Sequence, residues 1–369
     1  VRRVVVVGSG GREHALAWAL ARHAEVVVTP GNDGMRAMGL WCTSHSPLEL
    51  EADLFVIGPE VPLVAGLADS LRAQGKSVCG PGREGARLEG SKAFMKELLA
   101  AANVPTAAFG SFREPDGAIA MLRRWGPPYV IKTDGLAAGK GVLVTDSLTA
   151  AESDVRDKLS GAAFGEAGST VVIEQALIGE ECSLLVLVDG ERAVPLPPAQ
   201  DFKRVGDDNQ GPNTGGMGAF APMRAMSNPM VDEVMSTIVE PTLREMRRRG
   251  IEYRGVLYAG LMLTVEGPKL LEYNVRFGDP ETQVVVPLID DDFSSTLAEV
   301  AEGRLYGGPS LRAGAAVTVV LASHGYPVQS RSGDLITGLG VDGQLAAPIN
   351  DVTVFHAGTR RRPDGPFET

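Results

Sequence analysis

The chain reads as a multidomain protein of mixed α/β and α+β class, and three observations predict it. Its 369 residues exceed a single ordinary domain, so roughly two to four are expected. Strands and helices alternate through the first 80 residues, the pattern of a parallel sheet with helices on its faces. Beyond that point strands fall in adjacent pairs joined by glycine-rich loops, the pattern of antiparallel sheets.

Arg3–Val7 is a continuous apolar run of the kind buried in parallel sheets. Gly8-Ser-Gly-Gly11 turns it into a helix over Arg12–His23, with strands at Glu25–Val28 and Asp53–Ile57 to follow. Leu63–Gln74 reads as a helix and Ser77–Cys79 as a short strand, closing a first domain at about 1–80. Residues 33–50 leave little room for the helix and strand that a crossover requires, so this part is abbreviated or lacks residues. A helix over Gly85–Ala102 carries Lys92 and ends before Val104-Pro105. Strands are expected at Tyr129–Lys132, Gly141–Thr145, Thr170–Glu174 and Cys182–Val188. A long helix spans Pro229–Arg249 and a strand pair Gly255–Val265 and Lys269–Val275. Phe293–Glu302 is a helix, and Ala315–Ala322 and Val352–His356 are strands of a last small domain.

The composition, 44% apolar and 22% charged, is that of a globular protein with real cores. A net charge of −11 disfavours nucleic-acid and anionic-membrane partners, which need a basic footprint. Arg247-Arg248-Arg249 ends a helical pattern, where cations complement the helix dipole. Cys42, Cys79 and Cys182 have the spacing of neither a zinc site nor a disulfide framework, which points to a cytoplasmic location. No signal segment opens the chain and no run of about 18 apolar residues marks a membrane span.

Four stretches carry chemistry. In Glu272-Tyr-Asn-Val-Arg-Phe-Gly-Asp-Pro-Glu-Thr-Gln283, strand alternation sends Leu271, Tyr273 and Val275 to a core and Glu272, Asn274 and Arg276 to the opposite face. Two oxygen donors beside a fixed cation suit a hard metal ion and a phosphate; a solvated amphipathic strand gives the same alternation. Lys132-Thr-Asp-Gly-Leu-Ala-Ala-Gly-Lys-Gly141 leaves its backbone nearly bare between two lysines, so its N–H groups can cover phosphate oxygens. It is not a P-loop, because three residues rather than four separate Gly135 from Gly139, and Gly141 follows Lys140. A hairpin tip with surface lysines is the alternative. Glu174-Gln-Ala-Leu177 before Gly179-Glu-Glu181 reads as an adenine-binding hinge or as a plain strand-turn-strand. Gln200-Asp-Phe-Lys-Arg204 leads to Gly211-Pro-Asn-Thr-Gly-Gly-Met-Gly218, whose glycine density indicates a ligand-contacting loop. At Gly8–Gly11 a dinucleotide fingerprint fails: Glu13 stands where the third glycine belongs, and Val28-Thr29-Pro30 replaces the ribose-binding acid. A phosphate of a smaller ligand is expected there instead, with His14 a capping or packing residue.

With Gly58-Pro-Glu-Val-Pro-Leu63, Leu88-Glu-Gly-Ser-Lys-Ala93, Gly325-Tyr-Pro327 and Phe355-His-Ala-Gly-Thr359, these motifs run in order along the whole chain. The chain thereby resembles the phosphoribosylamine–glycine ligase (glycinamide ribonucleotide synthetase) family of the ATP-grasp superfamily. The resemblance implies a Rossmann-like N-terminal domain (1–80), an ATP-grasp region (81–303) with a lid at about 106–176, and a small β-rich C-terminal domain (304–369) that is incomplete relative to the family. It implies ATP-driven ligation of glycine to 5-phosphoribosylamine through an acyl phosphate, in de novo purine synthesis, with Mg²⁺ or Mn²⁺. Glu272 and Asn274 are then the metal ligands, and Arg276, Asp201 and Lys132 the catalytic residues. Lys92, Lys132, Gly135, Gly139, Lys140, Gly141, Glu174, Gln175, Leu177, Glu180 and Glu181 hold ATP. Gly10, Gly11, Glu60, Asn213, Thr214, Gly215, Gly216 and Arg276 hold the other substrates. A monomer or weak homodimer acting on small molecules is expected. The alternatives are another ATP-grasp ligase of purine synthesis, a nicotinamide-dependent dehydrogenase and a non-catalytic nucleotide-binding regulator.

Overall fold

The computed structural model describes residues 1–136, 141–161 and 170–369, and of Asn209 the backbone alone. Five parallel strands open the chain: β1 (Arg3–Gly8), β2 (Glu25–Pro30), β3 (Trp41–Cys42), β4 (Leu54–Ile57) and β5 (Val78–Cys79), in the order β3-β2-β1-β4-β5. Val4, Val5 and Val6 are fully buried. The order reverses between β1 and β4, so Gly8–Gly11 and Gly58 lie together at the switch point, where open α/β sheets bind ligands. The 33–50 segment is abbreviated: it holds a helix at Asp33–Ala37, the two-residue β3 and a single 3₁₀ turn at Pro47–Glu49.

Two expected helices are each broken in two. Gly66, at φ +89°, separates Glu60–Val64 from Leu67–Ala73. Ser91 adopts extended angles between Arg83–Gly90 and Lys92–Ala101, and its hydroxyl accepts from Phe94 N at 3.1 Å to cap the second helix. Lys92 therefore starts a helix rather than sitting within one.

A small antiparallel sheet follows, built from β6 (Phe109–Phe112), β7 (Tyr129–Thr133), β8 (Val142–Thr145) and β9 (Val171–Gln175) in the order β6-β9-β7-β8. Helices Pro115–Trp125 and Leu148–Leu159 pack on it through Ala118, Ile119, Leu122, Ala151, Val155 and Ile173. This apolar cluster is separate from the larger ones, which gives the unit its own core.

The central sheet takes β10 (Glu180–Asp189) and β11 (Ala193–Pro195) first. Short strands β12 (Gln200–Asp201), β13 (Arg204–Gly206), β14 (Gln210–Asn213) and β15 (Gly218–Ala221) intervene. The helical run Asn228–Arg248 has a π turn at Met235–Val239. Strands β16 (Arg254–Thr264) and β17 (Gly267–Asn274) then complete the order β11-β10-β16-β17. One core joins this sheet to the first, from Val5 and Phe55 to Leu184 and Tyr273. Gly255 allows the close approach, because a side chain there would press on the Gly80 backbone.

The register of β17 corrects one expectation. Gly260 pairs with Glu272 but Leu261 with Leu270, which leaves Leu271 as the extra residue of a β-bulge. Leu270 is buried in place of Leu271, which is half-buried. Strand alternation resumes beyond the bulge, so Tyr273 and Val275 do enter the core.

Beyond helix Phe293–Glu302, β18 (Ala316–Val319) adds to β15, and β19 (Leu335–Ile336), β20 (Arg360–Arg361) and β21 (Phe367–Glu368) form a small sheet. Residues 352–356 form no strand. They return to the first domain, where His356 N donates to His14 Nδ1 at 2.8 Å.

Candidate active site

The bulge in β17 sets the geometry of the strand end. Arg276 Nη2 donates to Asn274 Oδ1 at 3.3 Å, so these side chains share a face although Arg276 lies just past the strand. The guanidinium is also paired with Glu89 at 2.8 Å and Glu60 at 3.3 Å. Burial works against the charge on Arg276, but Glu89 and Glu60 outweigh it and raise its pKa further. Burial likewise pushes Glu272 toward protonation, and Lys132, Lys203, Lys92 and Arg276 reverse this, holding its carboxyl below the usual range. The three groups predicted from alternation are thus brought together, with an ionised carboxylate among four cations.

Lysines from two elements gather opposite. Lys132 on β7 stands diagonally across from Glu174 on β9, because Lys132 pairs in register with Val172. Its Nζ is 3.0 Å from Glu174 Oε1 and donates to Leu271 O, the bulge carbonyl, at 3.4 Å. The second oxygen of Glu174 pairs with Lys96 at 3.0 Å. Lys92 Nζ donates to Gly135 O at 3.2 Å, and Asp134 accepts from Ser91 Oγ and Ala93 N, both at 3.1 Å. The glycine-rich loop is therefore pinned at its start to the helix that Lys92 opens. Gly141 O accepts from Thr133 N at 2.8 Å, while Gly139 and Lys140 lie outside the described residues.

Glu174 occupies a different position from the one expected of it. Its side chain is 2% exposed and turned into the lysine pair, so the hinge presents backbone rather than this side chain. Gln175 is exposed and Leu177 half-buried. Glu180 accepts from Gln200 Nε2 at 3.2 Å, and Glu181 pairs with Lys203 at 3.5 Å. Lys203 also meets the buried Asp201 at 3.1 Å, tying the 200–204 motif to the start of β10.

A second cluster forms at the switch point. Arg12 Nε donates to Glu13 Oε1 at 2.5 Å, and Gly10 N donates to Glu13 Oε2 at 2.7 Å. Glycine is needed at Gly8 and Gly58, because a side chain at either would overlap this buried carboxylate. Asp279 and Gln283 lie beside Gly10 and Gly11, with Gln283 Nε2 donating to Asp279 Oδ1 at 2.6 Å. Gln283 Oε1 is buried and has no partner among the described residues. Gly216 packs on Pro280, and Gly215 N donates to Tyr326 Oη at 3.1 Å. Thr214 spends its hydroxyl on Lys203 O at 2.8 Å, and Asn213 is exposed.

Glu89, Lys96, Lys203, Asp279 and Gln283 escaped the sequence reading as site residues. The last two lie inside the 272–283 stretch, so the Gly-Asp-Pro turn was the available signal. Glu89 lies inside the quoted Leu88–Ala93 motif, whereas nothing local marks Lys96; their roles depend on partners 187 and 78 residues away.

Two antiparallel sheets that meet over a lysine cluster, with an acidic strand end between them, define an ATP-grasp enzyme. Residues 90–282 match the family model described as phosphoribosylglycinamide synthetase, ATP-grasp (A) domain, and residues 2–89 match the N domain of the same enzyme. The chain is 46% identical over 371 residues to a phosphoribosylamine–glycine ligase of Brucella melitensis, spanning 97% of this chain and 86% of that protein. It is 44% identical over 381 residues to that of Escherichia coli K12, spanning 98% and 87%. Among solved structures it is similar to phosphoribosylamine–glycine ligase from Thermotoga maritima, with a TM-score of 0.83 and 36% identity over 100% of this chain and 89% of that one. A biotin carboxylase from Campylobacter jejuni, at 15% identity and a TM-score of 0.68 over 90% and 79% of the two chains, shares the fold alone. The chain belongs to the phosphoribosylglycinamide synthetase family.

Proposed function

We propose that this chain ligates glycine to 5-phosphoribosylamine with cleavage of ATP, yielding glycinamide ribonucleotide, ADP and phosphate in purine biosynthesis. The observation that carries the reading is the meeting of the Glu272–Asn274–Arg276 face with Lys92 and Lys132, in a chain of this family.

A carboxylate resists attack by an amine because its oxygen leaves badly. Transfer of the γ-phosphoryl group of ATP to a glycine oxygen supplies a leaving group. The amine nitrogen then bonds to the carbonyl carbon, the carbon–oxygen bond to phosphate breaks, and the nitrogen releases a proton. The protein's work is positioning and charge neutralisation. Lys132 and Lys92 contact the ATP phosphates, the 135–141 loop covers them, and residues about 106–176 act as the lid. Backbone of the 174–177 hinge frames adenine with Leu177, and Glu180 or Glu181 holds the ribose. Arg276 receives the transferred phosphoryl group or the glycine carboxylate. Gly10, Gly11, Asp279 and the 215–216 turn face the phosphoribosylamine side, where Gln283 Oε1, without a partner among the described residues, offers an acceptor.

The donor set fits a divalent metal. Glu272 is kept ionised and Asn274 supplies a second oxygen beside it. Mg²⁺ needs only one or two protein oxygens, with water and nucleotide oxygens completing its shell. Such an ion, held by Glu272 and Asn274, would neutralise phosphate charge. ADP release measured with each substrate omitted in turn tests the function. Turnover that requires both glycine and phosphoribosylamine is expected, and turnover without the amine would refute it.

A further inference from the structure

Lys96 has no role in the scheme above, yet it is fully buried. It sits one helical turn beyond Lys92, and its ammonium is fixed on several sides. It lies 3.0 Å from Glu174 Oε2, donates to Thr106 Oγ1 at 2.8 Å and is 5.7 Å from the Phe109 ring centre. Thr106 Oγ1 in turn donates to Leu270 O at 2.6 Å, which fastens the group to the central sheet. Burial draws the Lys96 pKa down to about 8 against the opposing pull of Glu174, so the ammonium remains charged at neutral pH.

Lys132 holds the same carboxylate by its other oxygen. Its Nζ stands 3.0 Å from Glu174 Oε1, the same distance at which Lys96 meets Oε2. It also donates to Leu271 O, at 3.4 Å. Two cations therefore share one desolvated anion, each 3.0 Å from a different oxygen, and Thr106 fixes Lys96 further.

We propose that Lys96 is a positioning residue: it keeps Glu174 neutralised so that Lys132 is free to leave for the nucleotide phosphates. The inference rests on the reading that Lys132 serves ATP. Without Lys96, moving Lys132 onto a phosphate would strand a buried carboxylate, the costly outcome whenever a buried ion pair is broken. With Lys96 in place, the carboxylate remains paired throughout.

Equilibrium ATP binding to the full chain, measured by titration calorimetry with Mg²⁺ present, tests this. Lys96→Met is expected to weaken ATP binding by about tenfold or more. The double variant Lys96→Met/Glu174→Gln is expected to return to within about threefold of the parent, since no anion remains to hold Lys132. That recovery is a charge-balance signature which loss of packing alone would not produce. Parent-like binding by Lys96→Met, or a double variant as weak as the single, overturns the proposal. If circular dichroism shows Lys96→Met unfolded, Glu174→Gln alone decides: binding at least as tight as the parent supports the proposal and a tenfold loss overturns it. Lys132→Met separates the underlying reading. Parent-like ATP binding there removes Lys132 from the nucleotide site altogether, whereas weak binding with a normal Lys96→Met removes only the role of Lys96.

Discussion

His14 makes the fold sensitive to acid, by an amount that the structure sets. Its ring is fully buried, Nδ1 accepts from His356 N at 2.8 Å, and Nε2 lies 2.8 Å from Met38 Sδ. Burial, followed by the neighbouring His356, lowers its pKa from 6.5 to about 4. The hydrogen bond from His356 N also needs a lone pair on Nδ1, which protonation would remove. Between the two values the unfolded chain binds a proton that the folded chain refuses. Stability is therefore complete above the unfolded value and is lost as the pH falls toward the folded one. At about 1.4 kcal/mol per unit, the gap corresponds to about 3 kcal/mol at its limit, and to about 2 kcal/mol already at about pH 5. His14→Asn keeps an acceptor near the Nδ1 position and does not titrate. Urea denaturation midpoints for parent and variant at about pH 7 and pH 5 give the comparison. The variant is less stable at neutrality because ring packing is lost, but its further loss on acidification should be smaller by about 2 kcal/mol. An equal acid-induced loss in both proteins would refute the linkage.

Glu272→Ala should abolish metal-dependent ADP release while leaving the circular dichroism spectrum unchanged; full retained activity would remove Glu272 from the metal site. Arg276→Ala leaves Glu89 buried beside a vacated cation and should cost about 3–5 kcal/mol of stability, read by denaturant titration. Arg276→Lys should restore much of that stability but not turnover, because an ammonium cannot span Glu89, Glu60 and Asn274 as the guanidinium does. Gly34→Ala would drive a methyl group into the His356 ring, and a loss of about 1–3 kcal/mol in denaturation is expected. Gly216→Ala would overlap Pro280 at a residue with φ +131°, so the KM for the amine substrate should rise while ATP binding holds.

The alternation argument succeeded for Glu272, Asn274 and Arg276 because strand periodicity is a local property, and it failed at Leu271 because a bulge depends on the partner strand. The helix breaks at Gly66 and Ser91 were visible as residue types, but apolar periodicity ran on across both and masked them. Glu174 was located on the right strand, and its pairing was not legible because the cations that attract it come from a distant helix and a neighbouring strand.

The order of strands and helices, the glycine-rich turns and the acidic strand end follow from the chain's own pattern, since each depends on residues a few positions apart. Burial of Lys96, pairing of Arg276 with Glu89 and burial of the Gln283 side chain were decided only when remote segments packed together. Desolvation and Coulomb energy depend on distance in space, and separation along the chain carries no record of it.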